Sequence, residues 1–364
     1  MKTKLLYRFV LITLVIPSLA LGKTATGWSG KHSKQKTVNK EFAVSKNATL
    51  KVDNSFGNID IVTYDGSKVL IEVNIKTNGN DLEKVESKLN QIEIKFSASP
   101  DWVAAETLVG KKNSNSWWSW GKKKKVNIEI NYIIKLPVTN NVNLNNDYGS
   151  INLDTLEGKA EINCDYGKIT TKELMADNNI INFDYTNHSY FEYIKSGKIN
   201  ADYSSFTVAK AKSLDLVTDY SDSKIEVAEN ITYNCDYGSM NVMNVNNING
   251  SADNLTLRLG SVYKNVDIKA DYGTIKIDQM TANAGNINIK SDYTGITIGY
   301  NASYHFNFEI GLDNGTLRNH DGFQFSIQNV NHSDKFYKGY YGSANSSNLV
   351  RIKSDYGNIS FKKH

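Results

Sequence analysis

The dipeptide Asp-Tyr occurs nine times between residues 147 and 356, and its spacing constrains the fold more than any other feature. The copies are Asp147-Tyr148, Asp165-Tyr166, Asp184-Tyr185, Asp202-Tyr203, Asp219-Tyr220, Asp236-Tyr237, Asp271-Tyr272, Asp292-Tyr293 and Asp355-Tyr356. Counted from Asp to Asp, the successive steps are 18, 19, 18, 17, 17, 35, 21 and 63. The step from Asp236 to Asp271 fits two short units, with Arg258-Leu259-Gly260 as a degenerate middle copy. The step from Asp292 to Asp355 fits three units, with Asp313-Asn314-Gly315 as one decayed copy. A period of about 19 residues is the mark of a repeat architecture in which no unit buries its own apolar face.

The flanks repeat with the dipeptide. Leu144, Ile162, Ile181, Ile199, Leu216, Ile268, Ile289 and Ile352 stand three residues before the Asp. Asn145, Asn163, Asn182 and Asn200, then Lys269, Lys290 and Lys353, fill the position between. This period-two alternation predicts a half-buried strand. After the dipeptide the apolar residues resume one step out of phase, as at Ile151 and Leu153 or Ile275 and Ile277. A continuous strand cannot slip phase without turning its core face to solvent. Asp-Tyr-Gly therefore reads as a corner between two short strands. Gly is expected to supply the backbone freedom there, and Asp to close an Asx-type turn.

Two strands per unit and no helical pattern between them predict an all-β chain, a parallel β-solenoid (β-helix) of roughly 18–20-residue coils. Eleven or twelve coils at about 4.8 Å would make a rod of roughly 50–60 Å. A hairpin sandwich is the structural rival. Cys164 and Cys235 hold the same offset four units apart. Stacking puts them about 19 Å from each other, too far for a disulfide, so both are expected to be buried free thiols.

Four regions follow. Residues 1–22 read as a secretory signal peptide: Lys2, Lys4 and Arg8, an apolar run, then Ala20-Leu21-Gly22. Residues 23–44 are a polar tail leading into a first strand. Residues 45–138 form a β-rich cap module, with an early coil at Leu50, Val52, Phe56, Gly57, Ile59 and Ile61. One short helix is predicted at 81–90, with Asn80 as candidate cap and Leu82, Val85 and Leu89 at helical spacing. Strands are predicted at 92–96 and 126–136. Residues 139–364 are the solenoid, less regular over 301–349, with a loop insertion expected around 334–348.

Composition narrows function by exclusion. Beyond the first ten residues, 39 Lys and Arg meet 38 acids, without the basic excess of a nucleic-acid binder. Two Cys do not make a disulfide scaffold. The six His show no metal spacing, and no nucleophile elbow, phosphate loop or zinc-protease helix is present, so no cofactor, metal or catalytic residue is assigned.

Three features remain as binding candidates. Trp117, Trp118 and Trp120 beside Lys122, Lys123, Lys124 and Lys125 form an aromatic-basic segment suited to sugar rings, lipid headgroups or an anionic polymer. The plainer reading is cap packing and a solvated turn. The Asp column has the spacing of a retaining glycosidase pair and could gather Ca²⁺, but it recurs too often for one active centre, and turn closure explains it. The Tyr column should stack, and could also face a glycan.

The order of these features resembles a bacterial family known as "putative adhesin" proteins. The likeness rests on the signal peptide, the Phe56-Gly57-Asn58-Ile59-Asp60-Ile61 coil, the short helix, the strand ending in Leu136-Pro137, and the Gly-Ser-Ile and Gly-Lys-Ile corners, over about 45–362. It implies a β-solenoid at the cell envelope and brings no catalytic residues. The expected protein is thus exported, to the periplasm, the outer surface or the medium. It is expected to bind a glycan, cell-wall or outer-membrane lipid surface without catalysis, through partners the sequence does not name. Rival readings are a carbohydrate-active β-helix enzyme (polysaccharide lyase or hydrolase), with Asp313, Arg318, His320 and Asp321 as its candidate groups, and an envelope-stress or assembly accessory.

Overall fold

The computed structural model describes residues 28–110 and 126–364. The expected signal peptide and the aromatic-basic segment from Trp117 to Lys125 lie outside the described residues. Among those described, the chain is nearly all β, with one helix, and its strands join a single open sheet.

Alternation builds the repeat. In the strand Ala160–Asp165, Ala160, Ile162 and Cys164 are buried while Glu161, Asn163 and Asp165 face outward. This strand lies parallel to Asn141–Asp147 on one side and Asn179–Asp184 on the other. The register pairs like with like: Leu144 with Ile162, Ile162 with Ile181, Asp147 with Asp165, Asp165 with Asp184. The pattern continues through Ser189–Asp202 into Ser205–Val262. The strands that follow each corner pair parallel in the same way, Ile151 with Ile169 and Thr170 with Tyr190. A one-residue slip would expose every inward side chain, so the apolar columns fix the register. Burying one Ile or Leu of such a column contributes about 1.5–3 kcal/mol.

The outward asparagines reinforce the register. The amide of Asn163 donates to Asn145 at 2.7 Å, Asn182 to Asn163 at 2.7 Å and Asn200 to Asn182 at 2.5 Å. Both thiols are buried and free, as expected. Burial first, with nearby carboxylates, pushes Cys164 up to about 12 and holds Cys235 at about 11, so neither forms a thiolate at neutral pH.

The N-terminal end is antiparallel. His32–Ala43 pairs with Lys68–Gly79, which pairs in turn with Asn127–Pro137. Thr49–Ser55 lies between Asn141–Asp147 and Trp102–Val109, parallel to both, and Ile92–Ser99 closes the far side antiparallel. The helix spans Leu82–Asn90 and buries Val85 and Leu89. Its cap is Asp81, not Asn80: the Asp81 carboxylate accepts from the Lys84 N–H, whereas the Asn80 carbonyl accepts from Lys31 N–H at 3.1 Å.

The C-terminal end departs most from expectation. The long interval between Asp292 and Asp355 does not hold three units in sequence order. Leu349–Asp355 lies parallel to Ile287–Tyr300 on one side and to Phe306–Asp313 on the other. Ile359–Lys363 sits likewise between residues 296–300 and Leu317–Arg318. The last strands of the chain are inserted between two earlier ones. Phe306–Asp313 then pairs antiparallel with Asp334–Tyr341, which forms a hairpin with Phe323–Asn331. Much of the predicted loop at 334–348 is therefore strand. Packed rings explain the arrangement. Phe306 meets Phe323 at 5.6 Å, and Phe323 meets Phe361 at 5.0 Å, joining the hairpin to the inserted strand. Both ends of the sheet thus finish on antiparallel strands.

A row of aspartate–tyrosine corners as the candidate functional site

The corners form one row. All nine tyrosines of the repeat adopt left-handed backbone, with φ between 48° and 57°. This conformation costs a non-glycine residue about 1–2 kcal/mol. The freedom expected of Gly is thus spent one residue earlier, by Tyr. Gly answers a different need: at Gly167 a Cβ would lie 1.9 Å from the Gly149 carbonyl oxygen of the neighbouring unit. Where Gly is absent the residue is Thr186, Ser204, Ser221 or Thr294, and each hydroxyl donates to the carbonyl of its own Asp at 2.7–2.9 Å.

Adjacent corners are tied by backbone. The N–H of Tyr148 donates to the Asp165 carbonyl at 2.9 Å, and Tyr166, Tyr185 and Tyr203 donate to Asp184, Asp202 and Asp219 at 3.0–3.1 Å. Two carboxylates also reach across units instead of closing their own turn. Asp165 accepts from the Asp184 N–H and Asp236 from the Asp253 N–H, both at 3.2 Å. Asp253 therefore occupies the place assigned to Arg258-Leu259-Gly260. The degenerate corner is Asp253-Asn254, with Asn254 at φ 54°. Asp313-Asn314 is a corner as expected, and Ser55-Phe56 begins the row.

Ring stacking offsets the backbone cost. Phe56, Tyr148, Tyr166, Tyr185, Tyr203, Tyr220 and Tyr237 stack in order, with centroids 4.7–5.8 Å apart and planes within 10° of parallel. Tyr272, Tyr293 and Tyr356 make a second row at 4.7–5.0 Å. Each contact contributes about 0.5–1.5 kcal/mol. The rings are about half exposed, yet their faces cover one another. The row offers solvent its ring edges and hydroxyls. Ring faces are left uncovered by a stacked neighbour only where a row ends.

The Asp column gathers like charge. Asp147, Asp184, Asp219 and Asp253 are each pushed above the ordinary carboxyl value of 3.8, first by burial and then by neighbouring carboxylates. Among the described residues no group of three His, Cys, Asp or Glu is placed to hold a metal ion. A raised carboxyl weakens the fold when ionised: the penalty is absent below 3.8 and complete above the raised folded value, so stability falls as pH rises through that window. Asp154, bonded to Lys172, and Glu309, bonded to Lys338 and Arg351, are lowered and act oppositely, losing their contribution as pH falls through their folded values. The melting temperature is therefore expected to rise as pH drops through the raised carboxyl values toward 3.8, then to fall as the lowered carboxyls protonate. Calorimetry across a pH series, with Asp219→Asn flattening the first limb, checks this. A melting temperature that only falls on acidification would contradict it.

The remaining candidates each have contacts of their own. Asp313 belongs to the corner row; Arg318 donates to the Thr316 hydroxyl at 3.2 Å; His320 lies edge-on to Phe325 at 5.3 Å. Sequence reasoning missed a shallow depression of about 770 Å³ bordered by Lys224, Arg258, Asp278 and His364. Burial pushes the Asp278 carboxyl up, but Lys276 and Arg258, at 3.0 Å each, pull it further down. A carboxylate so held is a poor proton donor. Its partners come from different units, Arg258 twenty residues before Asp278, so no local motif marks it.

No protein-family model matches the chain, and no curated protein matches it. Solved structures do, described variously as adhesins, a cell adhesion protein and a lipid binding protein. A "putative cell adhesion protein" from Clostridium sporogenes is 13% identical over 91% of this chain and 100% of that one, with a TM-score of 0.17. A "putative adhesin" from Parabacteroides merdae is 12% identical over 90% and 96%, with a TM-score of 0.38. A "putative lipid binding protein" from Parabacteroides distasonis is 9% identical over 91% and 98%, with a TM-score of 0.29.

Proposed function

We propose that the chain winds as a parallel β-solenoid, with its two parallel sets of strands as sides and the Asp-Tyr corners as one edge. It serves as an exported, non-catalytic binding scaffold at the bacterial envelope. The observation that carries this reading is the in-register pairing of Asp with Asp across successive units, from Asp147 to Asp219. Such pairing repeats one outward surface along the sheet. A repeated surface suits multivalent contact with a repetitive ligand, where many weak sites sum to useful avidity. It does not suit catalysis, which needs one unequalled place. The signal-like N-terminus supports export, and the segment from Trp117 to Lys125 is the proposed contact with glycan, cell wall or outer-membrane lipid.

Retention of the purified chain on immobilised glycans, cell-wall sacculi and outer-membrane lipid vesicles tests this. Retention on at least one surface is expected, weakened about tenfold when Trp117, Trp118 and Trp120 become Ala, as loss of stacked aromatic contacts implies. No retention on any surface, together with release of reducing ends from a polysaccharide panel, would replace the scaffold with an enzyme.

A further inference from the structure

The ring row has one internal vacancy. The units of Asp236, Asp253 and Asp271 are consecutive: the Asp253 N–H donates to Asp236, and Asp253 pairs with Asp271. The middle corner keeps the backbone of its neighbours, with φ 54° at Asn254 against 50° at Tyr237 and Tyr272. Only the ring is missing. Tyr237 stacks on Tyr220 at 4.7 Å and Tyr272 on Tyr293 at 5.0 Å, each on the side away from the gap. Their other faces look at one another across Asn254, two strand spacings or about 9.6 Å apart. Both rings are open to solvent, at 44% and 57% exposure.

The width and the charge select an occupant. Elsewhere in the row one flat ring fills this space and touches a ring on each side. The gap therefore admits a planar group, whereas a sugar chair is thickened by its axial hydrogens. An Asp immediately precedes the corner residue on all three units, Asp236, Asp253 and Asp271. Asp253 is raised by burial, then by Asp236 and by Asp271. The nearest outward lysine of the set is Lys269, two positions before Asp271.

We propose that the gap at Asn254 is a binding slot for a planar cation, a guanidinium or a cationic heteroaromatic ring, held between the faces of Tyr237 and Tyr272 and edged by Asp236, Asp253 and Asp271. Cations bind aromatic faces, and most strongly where a second face and an anion share the site. The slot needs only the stacked row, so it stands independently of the envelope role proposed above.

Quenching of N-methylacridinium fluorescence on the full chain tests it, with neutral acridone as the uncharged match. One saturable site is expected, with acridone at least tenfold weaker. Asn254→Tyr completes the row with the residue found at nine other corners, so it is expected to fold and to weaken binding at least tenfold. Tyr220→Asn opens a second gap between Tyr203 and Tyr237 and is expected to raise the stoichiometry to two. Competition by arginine amide would assign the slot to guanidinium groups; failure to compete while acridinium binds would assign it to heteroaromatic cations. No saturable binding, equal affinity in Asn254→Tyr, or one site in Tyr220→Asn would each overturn the proposal.

Discussion

Deleting residues 349–364 is expected to unseat two units, not one. In a simple stack the last residues form the last layer, and their removal exposes a single edge. Here Leu349–Asp355 and Ile359–Lys363 lie between Ile287–Tyr300 and the Phe306–Arg318 segment. Their loss strips hydrogen bonds from both neighbours and removes Val350, Ile352, Ile359 and Phe361, all at most 1% exposed. Four such side chains contribute about 6–12 kcal/mol, comparable to the whole stability of a typical domain. The truncated chain should be degraded from about residue 287 onward in limited proteolysis read by mass spectrometry. Persistence of a protected core through residue 341 would show that the inserted strands are dispensable.

Phe183→Ala is expected to cost about 3–5 kcal/mol, the range for a large side chain removed from a rigid core. Phe183 is 1% exposed and meets Phe206 edge-on at 5.5 Å and Phe191 at 6.2 Å. Its position is filled by Cys164 in the unit before and Ala201 in the unit after, so one large ring supports small neighbours on both sides. Those neighbours cannot move inward without breaking the register of their own strands. Tyr203→Ala removes a ring of the same size from the outer row and is expected to cost less, about 1–3 kcal/mol for two stacking contacts. Chemical denaturation of the two variants gives the comparison. An equal or reversed order would mean that the outer row, not the interior, carries the stability.

Much of this was legible because the repeat is written in the sequence. The Ile, Leu and Asn columns recur unit after unit at a nearly constant step, and any parallel in-register pairing must align them. The strand phases, the free thiols and the stacked tyrosines follow from that alone. What escaped is physically different in kind. Insertion of Leu349–Asp355 depends on long-range packing of Phe306, Phe323 and Phe361, which no local periodicity encodes. Left-handed backbone at Tyr could not be read because intrinsic preference assigns it to Gly; the neighbouring carbonyl, 1.9 Å from a Cβ at Gly167, explains why both residues are needed. Glycine spacing points to Arg258-Leu259-Gly260 rather than to the Asp253-Asn254 corner, whereas the element that recurs along the row is the Asp and its backbone. The Asn80 cap failed by one residue because both Asn80 and Asp81 suit the role, and only the hydrogen bond from Lys84 decides.

Spin labels at Asp165→Cys and Asp355→Cys, in a Cys164→Ala, Cys235→Ala background, give the most direct measurement. From Asp165 the units run through 184, 202, 219, 236, 253, 271 and 292 to 355. Eight strand spacings of about 4.8 Å place the labels about 38 Å apart. A pulsed dipolar distance near that value supports parallel stacking with the C-terminal strand inserted. Two outcomes contradict it: a distance of about 48 Å, the value for two further strands stacked in sequence order, or one below about 30 Å, as a folded-back sandwich would give.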